Sequence, residues 1–210
     1  MRILVAVFIF VLALTGSASA GNVALAPGAT AVCEGTPLPC ELTIAGTTYG
    51  AADTIDGNPD PADKWVAPGG TSSPGVLVNL GSLYTIGSIV ITGVGSSGES
   101  IDFEVFVGTN SSLSTTDTAV GTLVSGGTPV QEFGGAMWTA TFAVSPATPI
   151  QYILYDVTTS SMSLGGGGSL DDAYANDIEA FTPTPEPGTF GLIGGAGLLV
   201  LGLVRRRFQS

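Results

Sequence analysis

Between residues 76 and 157 the apolar residues recur in short runs with a period of two, and no stretch between residues 21 and 182 shows the 3.6-residue period of an amphipathic helix. The clearest run is Ile101-Asp102-Phe103-Glu104-Val105-Phe106-Val107. Successive side chains of a strand point to opposite faces, so Ile101, Phe103, Val105 and Val107 fall on one face, expected to be buried. Asp102 and Glu104 fall on the other, expected to be wet. Val76 to Leu80, Thr85 to Thr92, Trp138 to Val144 and Ile150 to Val157 read the same way, punctuated by Gly, Ser and Thr. This region is therefore predicted to be all-β, and the number and spacing of its strands favour a sandwich. Trp65 and Trp138 lie in or beside these strands and are expected in the core; stacking on the apolar face of a sugar is the competing role. Gly165 to Gly168 reads as a loop without the Lys-Ser/Thr of a phosphate-binding loop.

The two ends have a different character. Met1 to Ala20 carries one basic residue, Arg2, an apolar run from Ile3 to Leu14 and the small-residue site Ala18-Ser19-Ala20. That is the layout of a secretory signal, with cleavage expected after Ala20. At the other end, a spacer containing Pro185, Glu186 and Pro187 leads into the apolar, Gly-rich stretch Phe190 to Val204, closed by Arg205, Arg206 and Arg207. As a transmembrane helix its 15 residues would span about 22 Å, short for a hydrocarbon core of about 30 Å. Bilayer thinning or snorkelling arginines would close the gap. The arginines favour the cytoplasmic side and place the preceding chain outside.

This tail resembles the PEP-CTERM sorting signal of bacterial exported proteins. The resemblance implies recognition by an exosortase, a membrane-embedded protease or transpeptidase that cuts near Pro-Glu-Pro in bacteria that make exopolysaccharide. Glu186 and its flanking prolines are then a substrate of another enzyme. The implied route runs through the secretion machinery to an inner-membrane intermediate held by the C-terminal helix, then to the cell surface or the extracellular space. A Pro-rich linker followed by a permanent tail anchor is the alternative.

Between the ends, Lys64 is the only basic residue against 16 acids, a net charge of −15 over residues 21–182. Such a field repels phosphate, so nucleic acid and anionic lipid are set aside as partners, while divalent cations are attracted. Cys33 and Cys40 are the only cysteines, and in an exported chain they are expected to pair. Closing so short a loop contributes about 2 to 3 kcal/mol on the chain-entropy model. With no His anywhere and no Arg in this region, serine and cysteine nucleophiles lack an activating base and zinc lacks its usual ligands. The 16 acids offer too many carboxylate pairs to specify a glycosidase. The chain is read as no enzyme.

Ala52-Asp53-Thr54-Ile55-Asp56-Gly57-Asn58, Trp65, Val76 to Gly81 with Tyr84 and Ile86, Phe103 to Gly108, Tyr152-Ile153-Leu154 and Asn176-Asp177-Ile178-Glu179-Ala180-Phe181 follow one another in order. The series resembles the discoidin, or coagulation-factor type C, family over about residues 50 to 182. The resemblance implies an eight-stranded jelly-roll β-sandwich of the galactose-binding-like class, used mostly for binding sugars, lipids or proteins. Three departures stand out: the region has neither Arg nor His as polar anchors, Asn79 stands where the family usually has Asp, and the terminal cysteine pair is missing. Sugar binding is thus implied by fold analogy alone.

The Asx-rich loop with Asp56, Asn58, Asp60 and Asp63 has the hard oxygen donors that calcium takes. It is not an EF-hand loop, because Pro61 occupies the invariant glycine position and Ala67 that of the closing glutamate. The family resemblance implies a structural Ca2+ held by Asp56, Asn58 and Asp177, with Glu179 as a neighbouring alternative. An ordinary capped turn, in which Asp and Asn bond their own backbone, is the competing reading. Tyr174, beside Asp171 and Asp172, is the candidate exposed aromatic for a ligand.

The expected organisation is a signal peptide at 1–20, an N-terminal segment with the Cys33-Cys40 disulfide at 21–49, a discoidin-like β-sandwich at 50–182 and the sorting tail at 183–210. The function expected is non-catalytic binding at the cell envelope or in an extracellular matrix, with exopolysaccharide as the candidate ligand. A purely structural surface protein is the alternative.

Overall fold

The period-two runs are strands. The structure, a computed structural model, describes residues 20–36, 40–44, 46–60, 64–68, 71–94, 99–124, 130–133, 137–145, 149–160 and 173–183. Within the unit Gly21–Pro183 the described strands are β1 (Thr30–Thr36), β2 (Leu42–Ile44), β3 (Thr47–Tyr49), β4 (Trp65–Ala67), β5 (Ser72–Thr85), β6 (Ser88–Val94), β7 (Glu99–Gly108), β8 (Thr122–Leu123), β9 (Val130–Phe133), β10 (Met137–Ala143), β11 (Pro149–Ser160), β12 (Ala173–Ala175) and β13 (Asp177–Phe181). The large sheet runs β1-β5-β11-β7-β8, with β9 also on β7; a three-stranded sheet runs β10-β6-β13. Two small pairs, β12-β4 and β2-β3, complete the described ladders.

Burial follows the alternation. Ile101, Phe103, Val105 and Val107 of β7 are buried, whereas Asp102 and Glu104 are half-buried. Val76 and Val78 of β5 and Ile153 and Tyr155 of β11 join them from the large sheet. They meet Ile89 and Ile91 of β6, Ile178 and Ala180 of β13 and Trp138 of β10 in one core. Phe103 is its aromatic centre, with ring centroids 4.9 Å from Tyr155, 5.6 Å from Trp138 and 5.9 Å from Phe142. Trp65 is fully buried, edge-on to Tyr155 at 6.3 Å, and its Nε1–H donates to the Cys40 carbonyl at 3.1 Å. Both tryptophans are therefore core residues rather than sugar platforms.

The strand expected over Thr85 to Thr92 is divided. β5 ends at Thr85 and β6 begins at Ser88; between them Ile86 is buried and the Gly87 N–H leaves its own neighbours to donate to the Phe181 carbonyl at 2.8 Å. The N-terminal residues enter the sandwich itself. A 3-10 turn at Val23–Leu25 buries Val23 and Ala24, and β1 forms an edge of the large sheet against β5. Cys33 on β1 is disulfide-bonded to the fully buried Cys40, with the Cα atoms 5.8 Å apart. The two ends of the unit are laced together: Asn22 bridges to Phe181, the Thr182 N–H donates to the Gly21 carbonyl at 3.3 Å, and the Gly21 N–H donates to Thr182 Oγ1 at 3.4 Å.

On the outer face of the large sheet, Phe106, Leu113 and Leu154 form a second apolar cluster, flanked by Leu77, Val120 and Tyr152. Leu113 and Val120 come from the segment between β7 and β8. Among the described residues no helix is long and apolar enough to cross a membrane. The expected signal segment up to residue 19, the Pro185, Glu186 and Pro187 motif, the apolar stretch 190–204 and Arg205 to Arg207 lie outside the described residues.

Candidate functional site

The Asx-rich loop starts from a 3-10 turn, Ala51–Ile55, which Asp53 caps by accepting the Gly50 N–H at 3.0 Å. The turn stops at Asp56, still near helical geometry (φ −93°, ψ −7°), and Gly57 at φ +75° reverses the chain, a conformation that a side chain rarely adopts. Two Asx turns follow: Asp56 Oδ1 accepts the Asn58 N–H at 2.8 Å, and Asn58 Oδ1 accepts the Asp60 N–H at 3.3 Å. The capped-turn geometry is thus present. Asn176, fully buried just before β13, donates its Nδ2–H to the Asp60 carbonyl at 3.0 Å and its backbone N–H to the Thr92 carbonyl at 2.8 Å. Those bonds hold the loop against the start of β13.

Asp177 therefore faces the loop. It is only 3 % exposed, and its Oδ1 is buried with no hydrogen-bond partner. Burial, then repulsion from Glu179 and from Asp56, pushes its pKa up to about 6, against the opposing pull of the Ile178 and Gly57 N–H groups. Glu179 is held in turn by Asn22, whose Nδ2–H donates to Oε1 at 3.1 Å while its Oδ1 accepts the Ala24 and Ala180 N–H groups at 3.0 and 3.1 Å. Asp56, Asp177 and Glu179 are thereby brought within electrostatic reach, and Asn58 stands on the same loop. A hard cation suits such oxygen donors, and the orphaned Asp177 oxygen is the atom that would gain most from one. Among the described residues, however, no three acids converge tightly enough to hold an ion unaided. Backbone carbonyls and the Asn58 amide would have to complete the shell.

Other expected site residues fare differently. Asp63, Asp171 and Asp172 lie outside the described residues. The backbone of Tyr174 pairs with Val66, and its side chain lies outside what is described. Lys64 stands over the Tyr49 ring, 5.9 Å from its centroid. The residues that sequence reasoning missed are Asn22, Gly57 and Asn176. Of these, Gly57 carried a signal, since an Asp-Gly-Asn run is turn chemistry; Asn22 acts across the fold from the far end of the unit and carried none.

No protein-family model and no curated protein matches the sequence. Solved structures do. A selenomethionine-labelled variant of chitosan-binding module 1, from a chitosanase/glucanase of Paenibacillus sp. IK-5, is 21 % identical with a TM-score of 0.51, over 78 % of this chain and 99 % of that one. CpGH89CBM32-4 of Clostridium perfringens, solved with glcNAc-alpha-1,4-galactose, is 14 % identical with a TM-score of 0.50, over 80 % of this chain and 97 % of that one. A GH29 fucosidase of Ruminococcus gnavus, solved with fucose, is 19 % identical with a TM-score of 0.51, and the match covers 78 % of this chain but only 27 % of the fucosidase. Likeness at these identities carries the fold alone: Gly21–Pro183 is a β-sandwich of the same fold as the structures it matches.

Proposed function

We propose that this chain is a non-catalytic carbohydrate-binding module, exported and sorted to the cell surface or extracellular matrix, with a polysaccharide as its ligand. The observation that supports this best is the match of nearly the whole sandwich to complete carbohydrate-binding modules, one of them a chitosan-binding module and another solved with a disaccharide. A disulfide within the sandwich suits an oxidising, exported setting. The jelly-roll path, the signal peptide and the PEP-CTERM tail, with an exosortase as processing partner, belong to the same reading. A calcium ion held by Asp56, Asn58, Asp177 and Glu179 would neutralise the acids at the start of β13 and fix the loop. The test is a glycan array probed in millimolar calcium: retention on a defined set of glycans is expected. No retention on any glycan, together with retention on the producing cells, would favour the purely structural surface role.

A further inference from the structure

Four strands of the large sheet place one residue each into a single row on its outer face. Glu34 of β1 pairs with Gly75 of β5, Gly75 with Asp156 of β11, and Asp156 with Glu104 of β7. Three of the four are acids, and the fourth has no side chain. Directly opposed side chains in an antiparallel sheet lie about 5 Å apart at Cβ, and like charges there repel. Asp156 is only 9 % exposed. Among the described residues no hydrogen bond to its carboxylate is seen, and burial followed by repulsion from Glu104 pushes its pKa up to about 6. Burial also raises the pKa of Glu34. A Cβ on Gly75 would lie 2.6 Å from Thr115 Cγ2, so the missing side chain makes room for the segment after β7 against the Gly75 position of the row.

A sheltered carboxylate facing another is costly unless a cation accompanies it. The acids of the row do not form a group of three that could hold a metal ion. A primary ammonium asks for less, because it brings three N–H donors of its own and one carboxylate pair suffices. With one lysine against 16 acids in residues 21–182, the sandwich has almost nothing to pair with uronates, sulfates or phosphates, and its field draws cations in. Glu34 lies two strands from Asp156, roughly 10 Å across the sheet, comparable with the disaccharide repeat of an extended β-1,4-linked chain.

We propose that the row binds the protonated amino groups of a glucosamine-type polysaccharide, one ammonium between Asp156 and Glu104 and another along the same glycan at Glu34. The proposal rests on the carbohydrate-binding reading and adds to it the class of glycan and the face that takes it. Calorimetric titration of the full chain at pH 6 and low salt, with chitosan hexasaccharide and with its fully N-acetylated counterpart, provides the test. The free amine form should bind at least tenfold more tightly. Asp156→Asn and Glu104→Gln should each weaken that binding at least tenfold while raising the melting temperature, the opposite of what loss of a merely structural group would do. Asp117→Asn, at an exposed acid outside the row, should change neither. Equal affinity for the two oligosaccharides, unchanged binding in both row variants, or equal weakening in Asp117→Asn would overturn the proposal while leaving a neutral-glycan module intact. Absence of binding to either oligosaccharide and to every glycan on the array would instead remove the carbohydrate reading itself.

Discussion

The Nε1–H of Trp65 and the carbonyl of Cys40 are 3.1 Å apart, and both residues are wholly excluded from solvent. Trp65→Phe keeps an aromatic ring against Tyr155 but leaves that carbonyl without its donor, so it should lower unfolding free energy by about 1 to 3 kcal/mol; the urea midpoint measures it. Asp177 behaves in the reverse sense. Its buried Oδ1 lacks a partner and its neighbours Glu179 and Asp56 repel it, so Asp177→Asn should raise the melting temperature in chelator. In millimolar calcium the wild-type chain should be the more stable of the two. If the same order is found in both buffers, calcium has no part at this loop. The acids of this loop were legible in the sequence as hard donors; that Asn22 and Asn176 hold them in place was not, because those bonds link residues far apart in the chain.

At the scale of strands, β7 could be read almost residue by residue, since its alternation is strict and one face is core. β5 was legible only in its middle. Beyond Asn79 it carries Gly81 at φ +75°, and its pairing with β11 shifts register between Ile150 and Tyr152, which a period-two count cannot follow. β1 was not legible, because Thr30–Thr36 holds a cysteine, a glycine and an acid in place of apolar alternation. The row of Glu34, Asp156 and Glu104 could not be found from the sequence at all, since it exists only in the long-range register of four strands. The disulfide is the covalent brace of β1. Reducing it should cost about 2 to 3 kcal/mol on the chain-entropy model, read as a lower urea midpoint with reductant, and amide exchange should quicken first along Thr30–Thr36. Uniform quickening over the whole sandwich would show that β1 is not a separable edge.

For the whole molecule, the sum of buried acids sets the response to pH. Asp156 and Asp177 each have a folded-state pKa of about 6, above the roughly 3.9 of an unfolded aspartate. The folded form therefore binds more protons between these values, and stability present at about pH 4 is lost as the pH rises through 6. Thermal melts in chelator should fall from mildly acidic to neutral pH and then level off; a melting temperature that climbs over this range would contradict the burial of the two carboxylates. The ends of the unit, Gly21 and Thr182, meet in two mutual hydrogen bonds. Such a sandwich is a cassette: spliced through a short linker into a surface turn of an unrelated host, it should fold without prising the host apart, and a circular permutant joined at that seam should keep its native circular dichroism spectrum.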